Sequence, residues 1–144
     1  MPTRVVVTGG MGFIGSNFVD LLVAERPRWD IVVVDSLTYA GRFENLKRHV
    51  ESKRIQFIKE DICHGKAMVE AVVSADIVFN FAAESHVDRS IEKPSKFVET
   101  NIVGSFEMAK ASLDSGVKRF VQISTDEVYG SIPKGSFVET DPLN

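Results

Sequence analysis

The chain has 144 residues, of which 44% are hydrophobic, and this size and composition allow one domain with a core of its own. Its 17 Lys and Arg residues against 20 Asp and Glu residues give a net charge of −3, which disfavours nucleic acid as a partner because polyanion-binding proteins carry a basic surface. The single cysteine excludes an intrachain disulfide and favours a reducing, cytoplasmic location, and no apolar run is long enough to span a membrane.

Apolar runs alternate with amphipathic stretches along the chain. The predicted strands cover residues 4–8, 31–35, 54–58, 76–81 and 119–124. Most of them are continuously apolar, as expected for strands buried on both faces of a parallel sheet. The predicted helices are one that ends before Pro27, two short ones at 43–50 and 66–73, and a long one from Pro94 to Gly116. This alternation predicts an open α/β sheet of about five parallel strands, doubly wound by helices.

Two of the predicted helices carry apolar residues at helical spacing. These residues are Ile14, Phe18, Leu21 and Leu22 in the first helix, and Ile102, Phe106, Ala109 and Leu113 in the long helix. Residues 82–93 follow the fourth strand and form a long, polar segment that we expect to be irregular. Because loops at the carboxyl ends of strands line the ligand crevice of such sheets, this segment is a candidate site. Its polar residues include Glu84, Ser85, His86, Asp88 and Arg89.

The segment from Thr8 to Ser16 joins the first strand to the first helix and carries Gly9, Gly12 and Gly15. Glycines at this spacing allow a tight turn, close approach of the backbone to a pyrophosphate, and close packing of the helix on the strand. The N–H groups at the start of the helix would then face the phosphates. A plain glycine turn is the alternative, but the flanking strand and helix, with Asp35 at the end of the second strand, favour a Rossmann-type dinucleotide site.

Asp35 lies at the position where a carboxylate can accept hydrogen bonds from the adenosine ribose. Its charge would also repel a 2′-phosphate, which favours NAD over NADP. Asp35 could instead cap a turn, and Arg42, which we interpret as a surface residue, could instead hold a phosphate. Asp61 and Ile62 follow the third strand and could reach the adenine, although Asp61 is nearly as consistent with a turn residue.

Asp126 and Glu127 lie side by side after the fifth strand, next to the hydroxyl of Thr125. Two adjacent carboxyls can serve as an acid and a base, because like-charge proximity and partial burial separate their pKa values. Such a pair at the carboxyl edge of a nucleotide-binding sheet indicates chemistry beyond simple dehydrogenation. From residue types alone, an ordinary solvated turn is an equally good interpretation.

Six blocks of the chain carry a resemblance to a known family. They are TGGMGFIGS, DSLTYAG, DI at residues 61–62, FAAESHVDRSI, ETNIVGS and STDEVYG. In this order they resemble the dTDP-glucose 4,6-dehydratases, which are extended short-chain dehydrogenases/reductases. The glycine block is shared by that whole superfamily, whereas AAESHVDRSI and STDEVYG are far more specific to nucleotide-sugar 4,6-dehydratases. The resemblance covers essentially the whole chain.

The resemblance implies dehydration of dTDP-glucose to its 4-keto-6-deoxy product, with NAD as a cofactor that stays bound. Hydride leaves carbon 4 of the sugar, water is eliminated across carbons 5 and 6, and hydride returns to carbon 6. The resemblance further implies that Glu127 is the base at carbon 5 and that Asp126 protonates the departing hydroxyl. Thr125 would hydrogen-bond the sugar near carbon 4.

The resemblance also implies cofactor contacts beyond the three glycines and Asp35. The residues concerned are Phe13, Ile14, Ser36, Leu37, Thr38, Asp61, Ile62, Phe81, Ala82, Ala83, Glu84, Ser85 and Thr100. Ser85 would contact the substrate as well, while the roles of His86 and Arg89 stay open. In the full-length protein the long helix would pack in the four-helix bundle of a homodimer. No metal site is expected, because Cys63 and His64 lack further ligands.

The chain departs from the family pattern in two places. Ser36 and Arg42 stand where relatives often have other polar residues. The Tyr-x-x-x-Lys pair of the superfamily is expected on the next helix, but the chain stops at Asn144. Tyr129 cannot replace that pair, because a proline stands four residues later where Lys is required. We therefore expect an incomplete NAD-binding domain without its substrate domain, inactive when alone.

Other interpretations stay open at this point. A nucleotide-sugar epimerase, or a dehydratase for another nucleotide, would share the cofactor site, although epimerases lack the acid–base pair after the fifth strand. A non-catalytic NAD-binding or dimerisation module is the alternative outside enzymology.

Overall fold

The computed structural model describes residues 2–144, except for the side chains of Val87 and Asp126. Five parallel strands form one sheet. They are β1 (Arg4–Thr8), β2 (Asp30–Asp35), β3 (Gln56–Lys59), β4 (Ile77–Asn80) and β5 (Arg119–Gln122). Their order across the sheet is β3-β2-β1-β4-β5. All five strands therefore end at the same edge of the sheet, and the predicted open α/β architecture is confirmed.

The described residues also form six α-helices, two 3₁₀ turns and one π-helical segment. The helices are α1 (Phe13–Glu25), α2 (Lys47–Glu51), α3 (Gly65–Val72), α4 (Val87–Glu92), α5 (Pro94–Phe97) and α6 (Ser105–Asp114). A π-helical segment, Val98–Gly104, joins α5 to α6, so the long helix predicted from Pro94 is continuous to Asp114. No helix in residues 2–144 is long and apolar enough to cross a membrane.

Two predicted segments have a different structure. The helix predicted over 43–50 is a 3₁₀ turn, Phe43–Asn45, followed by the short helix α2. The segment over 82–93, predicted to be irregular, is irregular only as far as His86, after which α4 begins. The helix α4 was not predicted because its sequence is polar and has no apolar stripe. Such a short helix is stabilised by contacts with neighbouring segments, which the sequence does not show.

The core lies on both faces of the sheet. On one face, Val6 and Val34 pack with Met68 of α3 and Met108 of α6. On the other face, Val5, Val7 and Val33 join Val19 and Leu22 of α1. The two strands at the centre of this arrangement, β1 and β2, are buried on both sides as predicted, whereas the edge strands β3 and β5 have exposed residues at both ends.

The buried faces of the helices differ from the apolar stripes in the sequence. The buried residues of α1 are Gly15, Ser16, Val19 and Leu22, whereas Ile14 and Leu21 are 64% and 54% exposed. Small residues face the sheet here because the helix start lies close to the glycine loop. In the long helix the buried residues are Gly104, Met108, Ala111 and Ser112, whereas Ile102, Phe106 and Leu113 are exposed. The apolar stripe of that helix therefore faces outward.

Candidate functional site

The order of the strands changes direction between β1 and β4, and the carboxyl ends of these two strands mark the ligand crevice expected of such a sheet. From β1 the chain moves outward through β2 and β3, and then crosses back to β4 and β5. In open α/β sheets, ligands bind at such a switch point because the loops on either side of it diverge. The Thr8 hydroxyl donates to Asn80 Oδ1, and Asn80 Nδ2 donates to Gln122 Oε1 at 2.8 Å. A polar chain therefore joins the ends of β1, β4 and β5.

The glycine loop lies tightly packed at this edge. Gly9 has φ +67°, and a Cβ there would lie 2.6 Å from the backbone nitrogen of Ala82. A Cβ on Gly15 would lie 2.3 Å from the carbonyl oxygen of Gly9. Gly12 is different, because its Cβ would meet only that same oxygen, at 3.3 Å. Packing thus requires glycine at positions 9 and 15, while close approach of a ligand is the better reason for Gly12.

The start of α1 is open to an anion. Within the described residues no side chain caps this helix and its first turn carries no acid, so its first N–H groups are left for a ligand. Phe13 is 82% exposed beside it, as is most of Ile14. Free N–H groups next to exposed apolar side chains are the arrangement that a phosphate-containing ligand with apolar rings would cover.

Asp35 ties the loop after β2 to the glycine loop. Its buried carboxylate accepts hydrogen bonds from the Met11 N–H at 2.9 Å and from the Leu37 N–H at 2.8 Å. The Met11 carbonyl in turn accepts from the Arg42 N–H and from Asn45 Nδ2, at 3.0 and 2.8 Å. Asp35 therefore caps the turn that follows β2, as the alternative interpretation predicted. Each of its carboxylate oxygens keeps a second lone pair with which to bind a ligand.

The residues after β3 lie at the far side of the same edge. The Ile62 side chain is buried and lies close to Gly104 of the π-helical segment, which leaves mainly its backbone for contact with a ligand. Asp61 Oδ1 accepts from the Cys63 N–H at 2.9 Å. Burial opposes ionisation of Asp61, but hydrogen bonds from Cys63 outweigh it and lower the pKa of the carboxyl.

Cys63 is an unreactive thiol. Its Sγ donates to the Glu99 carbonyl at 3.3 Å. Burial first, and then the hydrogen bond and charge of Asp61, raise the pKa of Cys63 to about 12. The thiol therefore stays protonated at neutral pH, which removes it as a nucleophile. No group of three or more potential metal ligands occurs in the described part of the chain.

The segment after β4 is held in place from two sides. Phe81 packs on Phe18 with 5.0 Å between ring centroids, and Ala82 lies against Gly9. Asn101, in the π-helical segment, accepts from the Glu84 N–H and donates to the Glu84 carbonyl, both at 2.8 Å. This clamp fixes the backbone beside Ala83 and Ser85. Sequence reasoning missed Asn101, although an amide inside the ETNIVGS block was the available signal.

Tyr39 is a second residue that the sequence reasoning left unassigned. Its ring lies under the Arg89 guanidinium, 3.6 Å from the ring centroid to Cζ, and meets the His86 ring edge-on at 6.4 Å. Burial, followed by the charge and hydrogen bond of Glu84, raises the pKa of the phenol. Arg89, whose role the sequence left open, therefore stacks on an aromatic ring.

The Thr125–Glu127 turn lies at the same edge, after β5. Thr125 precedes the 3₁₀ turn Asp126–Tyr129, and both Thr125 and Glu127 are exposed. The Asp126 side chain lies outside the described residues. The Asn144 N–H donates to the Val128 carbonyl at 2.9 Å, which ties the end of the chain to this turn. Glu127 is thus exposed in the turn that follows β5, the strand next to β4, which precedes the segment that carries Ser85.

Comparison with known proteins gives one family. The model described as "GDP-mannose 4,6 dehydratase" matches residues 6–144. The low-salt glycan biosynthesis protein Agl12 of Haloferax volcanii is 48% identical over 139 residues, which are 96% of this chain and 44% of that protein. The crystal structure of DesIV, a dTDP-glucose 4,6-dehydratase from Streptomyces venezuelae with NAD bound, is 45% identical with a TM-score of 0.91 over 99% of this chain and 45% of that one.

An epimerase shares the same fold. A UDP-N-acetylglucosamine 4-epimerase from Methanobrevibacter ruminantium is 30% identical with a TM-score of 0.86, over 99% of this chain and 44% of that one. The chain thus spans less than half the length of each of these three proteins.

Different costs for alanine at two glycines follow from the packing of the loop. Gly15→Ala should lower the free energy of unfolding by about 2 kcal/mol, because its methyl group would overlap the Gly9 carbonyl and the backbone must shift. Gly12→Ala, the control, should cost no more than about 1 kcal/mol. Urea unfolding followed by Trp29 fluorescence measures both changes, and equal costs for the two variants would contradict the packing described here.

Proposed function

This chain belongs to the GDP-mannose 4,6 dehydratase family, and we propose that it is the NAD-binding part of an enzyme that dehydrates dTDP-glucose to dTDP-4-keto-6-deoxyglucose. The observation that carries this proposal is the placement of Glu127 on the same sheet edge as an uncapped helix start and a glycine loop. The 45% identity to a dTDP-glucose 4,6-dehydratase supports the choice of nucleotide. The activity proposed is that of a protein of the relatives' length that contains this chain.

The edge of the sheet fits NAD along its whole width. The pyrophosphate would lie at the start of α1, over Gly12 and the N–H groups of Phe13 and Ile14. The adenosine ribose would meet Asp35, with Ser36, Leu37 and Thr38 beside it and with Asp61 and Ile62 near the adenine. The nicotinamide half would lie along residues 81–85 and Thr100. In this proposal Gly9 and Gly15 shape the loop rather than touch the cofactor through a side chain.

The chain's own residues would handle protons and position the sugar. NAD, when bound, supplies the redox chemistry by taking hydride from carbon 4 and returning it to carbon 6. The Thr125 hydroxyl would hydrogen-bond the oxygen on carbon 4, and Ser85 would hold the sugar from the opposite segment. Glu127 would remove the proton on carbon 5, which the neighbouring carbonyl acidifies. Asp126 would protonate the hydroxyl that leaves carbon 6, because two adjacent carboxyls favour one neutral and one charged form.

Nucleotide-sugar epimerisation is the second candidate function. Its support is the similarity to the UDP-N-acetylglucosamine 4-epimerase, which extends over 99% of this chain. Epimerisation at carbon 4 needs hydride transfer but no elimination of water, so it gives no reason for a base and an acid at carbons 5 and 6. The adjacent carboxyls of Asp126 and Glu127 therefore favour dehydration.

Self-association through the long helix is part of the proposal. Exposed apolar side chains follow one another along it, at Val98, Ile102, Val103, Phe106 and Leu113. Apolar residues at this density on a surface helix mark an interaction surface. A two-fold contact would bury the same stripe on both copies and bring the long helices of the two copies together.

NAD binding is the first test of the proposal. Titration calorimetry on this chain should show binding of NAD⁺ that is at least about tenfold tighter than binding of NADP⁺, because the Asp35 carboxylate would repel the 2′-phosphate. Gly12→Ala should weaken NAD⁺ binding about tenfold while leaving the fold intact, since its methyl group would lie where the pyrophosphate approaches. A folded chain that binds neither nucleotide would contradict the cofactor assignment.

Proton removal by Glu127 is the second test. In a protein of the relatives' length that contains this chain, Glu127→Gln should lower the rate of dTDP-4-keto-6-deoxyglucose formation by about 10² to 10⁴. It should also stop deuterium from the solvent from entering carbon 5, while Glu139→Gln, a control at another exposed glutamate, should change neither. Full deuterium incorporation in the Glu127→Gln protein would show that another group is the base.

The dimer can be tested by changing one exposed side chain of the stripe. Phe106 is 61% exposed, so Phe106→Glu should convert a dimer to a folded monomer in sedimentation experiments at micromolar concentration, because the interface would bury the new charge. Val73→Glu, at an exposed apolar residue outside the stripe, should remain dimeric. The measurement is made on a protein of the relatives' length that contains this chain; a monomer of that protein, or a dimer of its Phe106→Glu variant, would refute the interface.

A further inference from the structure

Tyr39 reaches across the crevice to the opposite loop. It follows β2, whereas its partners His86 and Arg89 follow β4. In the sheet β1 lies between these two strands, and neighbouring strands are about 4.8 Å apart. A contact between the loops that follow β2 and β4 must therefore pass over the end of β1, where the glycine loop lies.

The two ends of this bridge are fixed to the body of the protein. On the β2 side, the Leu37 N–H is held by Asp35 and the Arg42 N–H by the Met11 carbonyl. On the β4 side, Asn101 holds both backbone groups of Glu84. The loops are thus anchored at backbone atoms on either side of the crevice.

The side chains that meet in the middle are not fixed in the same way. Tyr39 is 44% exposed, and Arg89 and His86 are exposed as well. Their contacts are a cation over a ring and an edge-on ring pair, each of which can break without leaving a buried polar group unpaired. The bridge therefore joins rigid loops through side chains that can separate.

We propose that Tyr39 and Arg89 form a latch over the dinucleotide crevice that slows release of the cofactor. This inference rests on the proposed binding of NAD. A diphosphate lying on the glycine loop would have this bridge above it, so the Tyr39–Arg89 pair must part before the cofactor leaves. The Arg89 guanidinium also adds a positive charge on the side of the crevice opposite the start of α1.

The proposed reaction explains why slow release would help. Hydride is taken from the sugar and returned to it within one turnover, so the cofactor has no need to exchange. Loss of the reduced cofactor between the two transfers would instead leave the enzyme unable to finish the reaction. A latch that lowers the dissociation rate would prevent this loss at no cost to turnover.

The test measures cofactor dissociation directly. NADH is bound to this chain, chased with excess NAD⁺, and its release followed by fluorescence in the parent chain, Tyr39→Ala, Arg89→Met and the double variant. Each single variant should release NADH about tenfold faster. Because the pair must part for entry as well as for exit, association should also be faster and the dissociation constant nearly unchanged. The double variant should release it no faster than the single variants, because a latch is already open when either half is missing. Tyr39→Phe, which keeps the stacked ring, should lie between the parent chain and Tyr39→Ala.

Arg26→Met is the matched control. Arg26 also lies over an aromatic ring, 5.6 Å from the ring centroid of Trp29, but it follows the last turn of α1 at the opposite edge of the sheet. Its removal should leave NADH release unchanged. Unchanged release in Tyr39→Ala and Arg89→Met would overturn the latch, and so would faster association with tighter binding, which would show that the bridge blocks the crevice. Absence of any nucleotide binding by the folded parent chain would instead overturn the proposed function, and the latch with it.

Discussion

Close contact between two backbones is the constraint on which the site depends. A Cβ at Gly9 would lie 2.6 Å from the Ala82 nitrogen, so the loop after β1 and the segment after β4 touch without any side chain between them. This contact brings the start of α1 to the switch point of the sheet and gives the crevice a floor made of backbone. Side chains that follow other strands lie around that floor, as Asp35 and Tyr39 do.

Hydrogen bonds from polar side chains hold the segments around this backbone contact. Asp35 joins the β2 loop to the glycine loop, Thr8 and Asn80 join the ends of β1 and β4, and Asn101 clamps the backbone of Glu84. Loops at a sheet edge cannot satisfy their backbone groups through strand pairing, so Asp35 and Asn101 supply partners that the sheet does not. The same bonds fix the relative positions of residues that would bind the cofactor and the sugar. The same hydrogen bonds therefore stabilise the loops and position the residues proposed to bind ligands.

The sequence predicted the architecture well because strands and helices in this chain follow simple periodicities. The continuously apolar runs of β1 and β2 and the start of the long helix at Pro94 lie where they were predicted. The helix faces were harder, since Gly15 and Ser16, rather than Ile14, face the sheet in α1. A rule based on apolar spacing cannot detect a face that is defined by the need for small residues. For the same reason the stripe through Ile102 and Phe106 was visible in the sequence, but its exposure was not.

Some residues of the site could be predicted from the sequence, and others could not. Gly9, Gly12, Gly15 and Asp35 could be found because each has a fixed place relative to a strand end. The contacts of Asn101 and Tyr39 could not be predicted in this way. The partner of Asn101 is 17 residues away in the chain, and the partners of Tyr39 follow a different strand. Both residues bind partners that are distant along the chain, and Tyr39 does so across the crevice, as Arg89 shows. In the sequence it was a charge that could pair with an acid or a phosphate, whereas in the fold it faces the ring of Tyr39. An arginine that stacks on an aromatic ring keeps the N–H groups in the plane of its own guanidinium free, so Arg89 could hold the bridge and still donate hydrogen bonds to a phosphate of the proposed cofactor.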